Sequence, residues 1–104
     1  MKYSPLILIA GSLIAAPAFS NPAATQLAQK SNCVACHAAE TKLVGPSWKD
    51  ISRKYEGDAT AEAKLIAKVK KGGAGVWGPV PMPPNVTVKD ADVKTLVQWV
   101  LSGK

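Results

Sequence analysis

Two cysteines and a histidine lie within the five-residue run Cys33-Val34-Ala35-Cys36-His37. They are the only cysteines and the only histidine among the 104 residues. A C-x-x-C-H run is typical of covalent haem attachment, because two thiols at this spacing can reach one porphyrin edge and bond to the vinyl groups. The adjacent histidine can then reach the iron. The run therefore predicts one covalently bound haem c, attached by Cys33 and Cys36, with His37 as an axial ligand of the iron.

A Cys-x-x-Cys pair has other uses, which the sequence supports less well. A structural zinc site needs about four ligands, and this chain offers two cysteines and one histidine. A thioredoxin-like dithiol lies near a βαβ unit, and the sequence shows no such pattern. A haem-free dithiol oxidoreductase that uses Cys33 and Cys36 is kept as an alternative, and it predicts free thiols and no visible absorption.

The second axial ligand is sought in the run GGAGVWGPVPMPPN, from Gly72 to Asn85. Its four glycines and four prolines exclude a regular helix or a central strand, and its apolar side chains are unlike those of a polar linker. We predict an ordered loop that presents Met82, whose neighbouring prolines restrict the backbone. Met1 is the only other methionine and belongs to a leader, and a second histidine ligand is excluded within this chain.

The beginning of the chain has the pattern of a secretory signal peptide. Lys2 supplies a positive charge, and residues 6–16 form an apolar run that is shorter than the ~20 residues of a membrane span. Small residues then favour cleavage after Ser20, with cleavage after Ala18 as the alternative. We therefore expect a leader at 1–20, one small domain at 21–104, and a periplasmic protein that is not integral to the membrane. An uncleaved membrane anchor is the competing interpretation of the leader.

The expected mature chain is basic. Without Lys2 it has 12 Lys and Arg against 7 Asp and Glu, a formal charge of +5. Such a surface favours acidic protein partners or anionic membranes, and it speeds association at low salt. We do not expect nucleic-acid binding, because the basic residues are scattered and the protein is predicted to be exported. Nothing in the sequence suggests an obligate dimer, so we expect a monomer.

The periodicity predicts an all-α fold of short helices, with no convincing strand alternation. Helices are expected at 22–30, at 47–55 and at 60–71, with one further turn at the Cys motif, and a final helix is expected to follow the cap at 87–90 and to run to about 102. Pro22 suits a first helical position, and Ser47 suits an N-cap. Asp58 or Thr60 is expected to cap the third helix, and a capping box from Thr87 to Asp90 is expected to start the last one. The last helix should pack against the first.

Taken together, the haem motif, Gly45-Pro46, the run Gly-Val-Trp-Gly-Pro at 75–79 and the run Pro-Met-Pro-Pro-Asn at 81–85 resemble those of small bacterial class I cytochromes c. The similarity extends over the whole predicted mature chain. The resemblance implies a cytochrome c fold of four to five short helices around one haem c. It also implies thioether bonds to Cys33 and Cys36 and axial ligation by His37 and Met82.

The same resemblance implies roles for four further residues. The Pro46 carbonyl is expected to accept a hydrogen bond from His37, and Asn85 to orient the Met82 side. Trp77 is expected to donate to a haem propionate. Lys68 occupies a position near the propionates where the family often has arginine, and a lysine is a point charge without the bidentate geometry of arginine.

The expected function is that of a periplasmic one-electron carrier. Like the short carriers it resembles, the protein is expected to pass electrons from respiratory-chain donors to a nitrite reductase or a terminal oxidase, through transient contacts with redox proteins. No enzymatic activity is expected, because the sequence shows no acid–base or nucleophilic constellation. The main alternative is a haem-based ligand sensor or peroxidase-like enzyme, which requires Met82 to be displaceable from the iron.

Overall fold

The computed structural model describes residues 2–12 and 17–104. The end of the predicted apolar leader segment, at 13–16, lies outside the described residues, as does Met1. Residues 2–12 have no regular secondary structure, and their large apolar side chains are exposed. The folded domain has four α-helices, one 3-10 turn and one two-stranded sheet. The mostly helical fold predicted from the sequence is confirmed.

Helix α1 spans Pro22–Lys30 and begins at a side-chain cap. The Asn21 Oδ1 accepts a hydrogen bond from the Ala24 N–H at 3.2 Å, which satisfies one of the free amides of the first turn. Pro22 occupies the first helical position, as predicted. Asn32 then adopts a left-handed conformation, with φ of 61°, and leads directly into the 3-10 turn Cys33–Ala35.

Helix α2 spans Trp48–Lys54 and helix α3 spans Ala61–Lys71. The Ser47 Oγ accepts from the Asp50 N–H at 3.1 Å, so the predicted N-cap of α2 is confirmed. Before α3, Asp58 Oδ1 accepts from both the amide and the hydroxyl of Thr60, and these contacts order the approach to the helix. Thr60 is the N-cap of α3 without a side-chain cap bond.

Helix α4 spans Asp90–Ser102, and the predicted capping box at its start is wrong. The helix takes Lys89, two residues after Thr87, as its N-cap, and Lys89 makes no side-chain cap bond. Instead, the first turn contains Asp90 and Asp92, whose negative charges interact favourably with the positive end of the helix dipole.

The run at 72–85 contains a β-hairpin, which corrects the prediction of an irregular loop in a chain without strands. Strand β1 is Gly73–Gly75 and strand β2 is Gly78–Met82, and they pair antiparallel. Gly75 lies opposite Gly78 across a two-residue turn. Proline is tolerated here because both strands of a two-stranded sheet are edge strands, which leave outward positions that need no N–H donor.

The core lies where α1 and α2 pack against α4. Trp48 of α2 and Trp99 of α4 meet edge to face, with 4.8 Å between ring centroids, and Val93 is completely buried. Contact of the last helix with the first is confirmed. Within residues 2–12 and 17–104, no helix is long and apolar enough to cross a bilayer.

Candidate haem site

A cavity of about 440 Å³ lies between the Cys motif and the β-hairpin. Both cysteines, His37 and Met82 line it, although they are separated by up to 49 positions in the sequence. Its wall also includes residues of the loop before α2, of α2 and α3, of the hairpin, and of the positions that directly follow α2 and the hairpin: Val44, Gly45, Pro46, Asp50, Tyr55, Lys68, Val76, Trp77, Val80 and Asn85. The fold therefore brings every predicted site residue to one cavity.

The 3-10 turn positions the Cys motif on the wall of this cavity. The Cys33 carbonyl accepts from the amides of Cys36, at 3.3 Å, and His37, at 3.0 Å, so the motif is wound into a single tight turn. The two cysteines form no disulfide bond with each other, and both are half-buried. Burial raises the pKa of the Cys33 thiol, which disfavours the reactive thiolate that a dithiol oxidoreductase needs.

The loop before α2 orients the imidazole of His37. Its Nδ1 lies 2.7 Å from the Pro46 carbonyl oxygen. A carbonyl oxygen only accepts hydrogen bonds, so the proton of a neutral imidazole lies on Nδ1 and the lone pair lies on Nε2. This is the tautomer that a metal-binding histidine requires.

The sequence alone predicts no separate role for Gly45, yet this residue lies at the site. A Cβ atom at this position would lie 2.6 Å from the His37 Cε1 and 3.0 Å from Nδ1. The Gly45 amide also donates to the Cys36 carbonyl at 2.8 Å, which closes the loop onto the motif. The imidazole therefore lies against a backbone position that has no room for a side chain. The Gly-Pro pair close after the haem motif is the sequence signal for this contact.

Met82 ends strand β2 and is half-buried at the cavity wall. It pairs with Gly73 across the hairpin. Just before the hairpin, Gly72 has a φ of 69°, and a Cβ there would lie 2.8 Å from the Pro84 nitrogen. The Met82 segment therefore crosses directly over the end of α3, and only glycine allows this close approach.

Asn85 ties the segment after Met82 to helix α3. Its backbone N–H donates to the Val69 carbonyl at 3.0 Å. Its side-chain Nδ2 donates to the same oxygen at 3.2 Å and to the Pro83 carbonyl at 3.3 Å. The Asn85 side chain thus satisfies the backbone of the Met82 segment and holds it against α3. The role in orienting Met82 that the resemblance implies for Asn85 stays a prediction.

Lys68 and Trp77 lie on the hairpin side of the cavity. The Lys68 ammonium is close to the backbone of Gly73, where an added Cβ would lie 2.9 Å from Nζ. Trp77 occupies the hairpin turn with 43 % of its surface exposed. The Lys54 ammonium lies 5.5 Å from the Trp77 ring centroid, a cation–π contact that joins α2 to the hairpin.

The donor set of the cavity fits a covalently attached haem. Two thiols, one imidazole whose Nε2 carries the lone pair and one thioether line one partly open cavity, and its volume lies within the usual range for ligand sites. In the described part of the chain, no group of three or more His, Cys, Asp or Glu side chains is arranged to hold a metal ion directly. The iron of a porphyrin needs only two protein ligands, and His37 and Met82 are of the types that c-type haem uses.

A small helical shell with a C-x-x-C-H turn on one wall and a methionine strap on the other defines a c-type haem domain. The chain belongs to the cytochrome c family, whose model matches residues 22–104. It is a small class I cytochrome c with one covalently bound haem c, and proteins of this kind carry electrons.

Named relatives and solved structures agree with this assignment. The chain is 57 % identical over 75 residues to a cytochrome c-551 of Allochromatium vinosum, covering 72 % of this chain and 80 % of the relative. It is 48 % identical over 103 residues to a cytochrome c-551 of Pseudomonas aeruginosa, covering 98 % and 97 %. The crystal structure of Nitrosomonas europaea cytochrome c552 superposes with a TM-score of 0.74 at 54 % identity, covering 77 % of this chain and 99 % of that one.

Proposed function

We propose that this cytochrome c is exported to the periplasm, where it carries single electrons between respiratory-chain donors and a terminal reductase or oxidase, and that it is not an enzyme. One observation carries the proposal: Met82 lies in the wall of the cavity that also holds His37 and both cysteines. An iron with two protein ligands has no open position for a substrate. The N-terminal segment is proposed to be a leader that is removed on export.

In this proposal Cys33 and Cys36 form the two thioether bonds, and His37 and Met82 are the axial ligands. When bound, the haem supplies an iron that alternates between the ferric and ferrous states. The contact of 2.7 Å between His37 Nδ1 and the Pro46 carbonyl holds the ring and increases the basicity of Nε2. Ligation by methionine and histidine raises the reduction potential relative to many other haem sites.

The segment around Met82 is proposed to be rigid enough for the Met82 sulfur to remain on the iron in both oxidation states. Hairpin pairing with Gly73 and the hydrogen bonds of Asn85 to Val69 fix the backbone on both sides of Met82. The prolines of the segment have fixed φ angles and lose little entropy on folding. Small rearrangement on electron transfer is the property that a carrier needs.

Trp77 and Lys68 are proposed to interact with the haem carboxylates. The Trp77 indole N–H is a donor, and Lys68 offers a compact positive charge on the same side of the cavity. The Lys54 ammonium above the Trp77 ring adds a second positive charge to this side. The three residues lie on different elements, so the haem carboxylates would join the hairpin to α2 and α3.

The proposed partners are redox proteins with acidic docking surfaces. Apolar side chains that line the cavity are also exposed to solvent: Val44, Val76, Trp77 and Val80. They would form the centre of a small, transient interface, while the excess of lysines steers an acidic partner toward it. Such contacts allow fast dissociation after the electron has moved.

The test is the visible absorption spectrum of the purified holoprotein, oxidised and reduced, with and without carbon monoxide. The carrier should retain haem after denaturation, give a low-spin spectrum and bind no carbon monoxide. Rapid binding of carbon monoxide would overturn the proposal in favour of a ligand sensor or a peroxidase-like enzyme. Two free thiols without visible absorption, in a host that attaches c-type haem, would favour the dithiol alternative.

A further inference from the structure

Phe19 lies inside the predicted leader, yet it belongs to the hydrophobic core. Only 8 % of its surface is exposed. Its ring packs edge to face against Trp99, with 5.6 Å between centroids, and lies tilted against Trp48 at 6.1 Å. The backbone at Phe19 is in the left-handed region, with φ of 55°, which turns the side chain into the core. A residue of a discarded segment would have no reason to complete this cluster.

The next two residues continue the connection to the folded domain. The Ser20 amide donates to the main-chain oxygen of Lys104 at 3.1 Å, just beyond the end of α4. Asn21 then caps α1. Residues 19–21 therefore form a continuous strap that joins the start of the first helix to the end of the last one.

Exposure changes abruptly on the other side of Phe19. Residues 17 and 18 are exposed, and residues 2–12 are exposed throughout, with Leu6 at 94 %. Among the described residues of the leader, those up to Ala18 are exposed, and the first one that packs into the fold is Phe19. Small residues at 16 and 18 satisfy the A-x-A pattern of a leader cleavage site at this bond.

We propose that the leader is removed by hydrolysis of the Ala18–Phe19 bond, and that Phe19 is the first residue of the mature protein and seals its aromatic core. The exporting cell's leader peptidase supplies the activated water. The water oxygen adds to the Ala18 carbonyl, the C–N bond breaks, and the proton goes to the released amine of Phe19. This proposal rests on the export proposed above, and it replaces the cut after Ser20 that the sequence favoured.

The alternative cut would damage the folded domain. Cleavage after Ser20 removes the Phe19 ring from Trp48 and Trp99 and exposes their apolar surface to water. It also removes the hydrogen bond between Ser20 and Lys104. A cut after Ala18 removes only residues that are exposed wherever the structure describes them.

The intact mass of the exported holoprotein tests the cleavage site directly. The expected mass is that of residues 19–104 plus one haem. A mass lower by one Phe and one Ser residue would overturn this inference and leave export and the carrier function intact. A full-length mass would overturn both the inference and the proposed export, while the added mass of haem reports separately on the haem site.

The stability of two defined mature forms tests the role of Phe19. Chains that begin at Phe19 or at Asn21 are made behind the same heterologous leader, together with Phe19→Ala and Ser20→Ala variants of the longer form. The form that begins at Asn21 and the Phe19→Ala variant should unfold about 10 °C lower, with unchanged visible spectra. Ser20→Ala keeps the backbone amide and should unfold within about 2 °C of the parent. Equal midpoints for all four proteins would show that Phe19 does not seal the core.

Discussion

The contact between Gly45 and the imidazole leads to a sharp prediction, because Gly45→Ala adds one methyl group where the structure has no space. The new Cβ would lie 2.6 Å from His37 Cε1, whereas ordinary contacts begin at 3.4 Å. The ring or the loop must therefore move by about 0.8 Å, from the difference of these distances. The imidazole is attached to the chain directly after Cys36, so it has little freedom to yield.

The cost has two parts. Forcing extra volume into a packed site costs about 1 to 3 kcal/mol. The hydrogen bond from His37 to Pro46 is 2.7 Å long, and a displacement of this size takes it out of the favourable range, losing about 0.5 to 1.5 kcal/mol. We expect a loss of about 2 to 4 kcal/mol in the free energy of unfolding. In a domain of this size, that lowers the unfolding midpoint by about 10 to 20 °C.

Thermal unfolding and the visible spectrum of the holoprotein measure the two consequences separately. Gly45→Ala should unfold earlier and show altered absorption bands, because the proposed iron ligand is displaced. Gly57→Ala is the matched control: it also adds a methyl group, at φ of 76° with open space around it, so it costs backbone strain of about 1 to 2 kcal/mol and leaves the spectrum unchanged. A Gly45→Ala protein with the parent's midpoint and spectrum would refute the reasoning.

Three further predictions concern the sixth ligand, the acid range and salt. Met82→Ala and Met82→Leu should both bind carbon monoxide and have a lower potential, whereas recovery of the parent behaviour by leucine would mean that Met82 only fills space. Hydrogen bonds from the Thr60 side chain and backbone amide lower the pKa of Asp58 in the folded protein. The contribution of Asp58 to folding stability is therefore complete above the pKa that this carboxyl has in the unfolded chain. It disappears as pH falls through the lower pKa of the folded state. Asp58→Ala should therefore show a weaker loss of unfolding midpoint on acidification, and equal slopes for both proteins would contradict this. Electron-transfer rates to an acidic partner should fall steeply with ionic strength, and a flat response would reject steering by the lysines.

Features that depend on neighbouring residues were predictable from the sequence. The sequence predicted Pro22 at the first position of α1 and Ser47 as the N-cap of α2, and both are present. The apolar spacing of α4 predicted its contact with α1. The capping box at Thr87 failed because the pattern shows that a helix is near without showing at which residue it begins.

Features that depend on distant parts of the chain were not predictable in this way. The pairing of Gly73 with Met82 makes a hairpin from residues with poor strand propensity, because both strands are edges and the prolines need no partners. Phe19 was assigned to the leader, since hydrophobicity and small residues describe a cleavage region without showing what packs on Trp48 and Trp99. The close contact of Gly45 with the His37 imidazole likewise depends on how the loop folds back onto the Cys motif.

The haem-attachment motif of this protein is thus contained in one short run of sequence, whereas the complete cavity forms only in the tertiary structure. The spacing of Cys33, Cys36 and His37 alone predicts covalent haem attachment, because the three side chains belong to one short turn of the chain. Folding alone places Met82 in the same cavity wall as His37, 45 positions away, by crossing the hairpin over the end of α3. Sequence distance carries no information about such a contact, and only packing of the helices around a common core brings the two residues together.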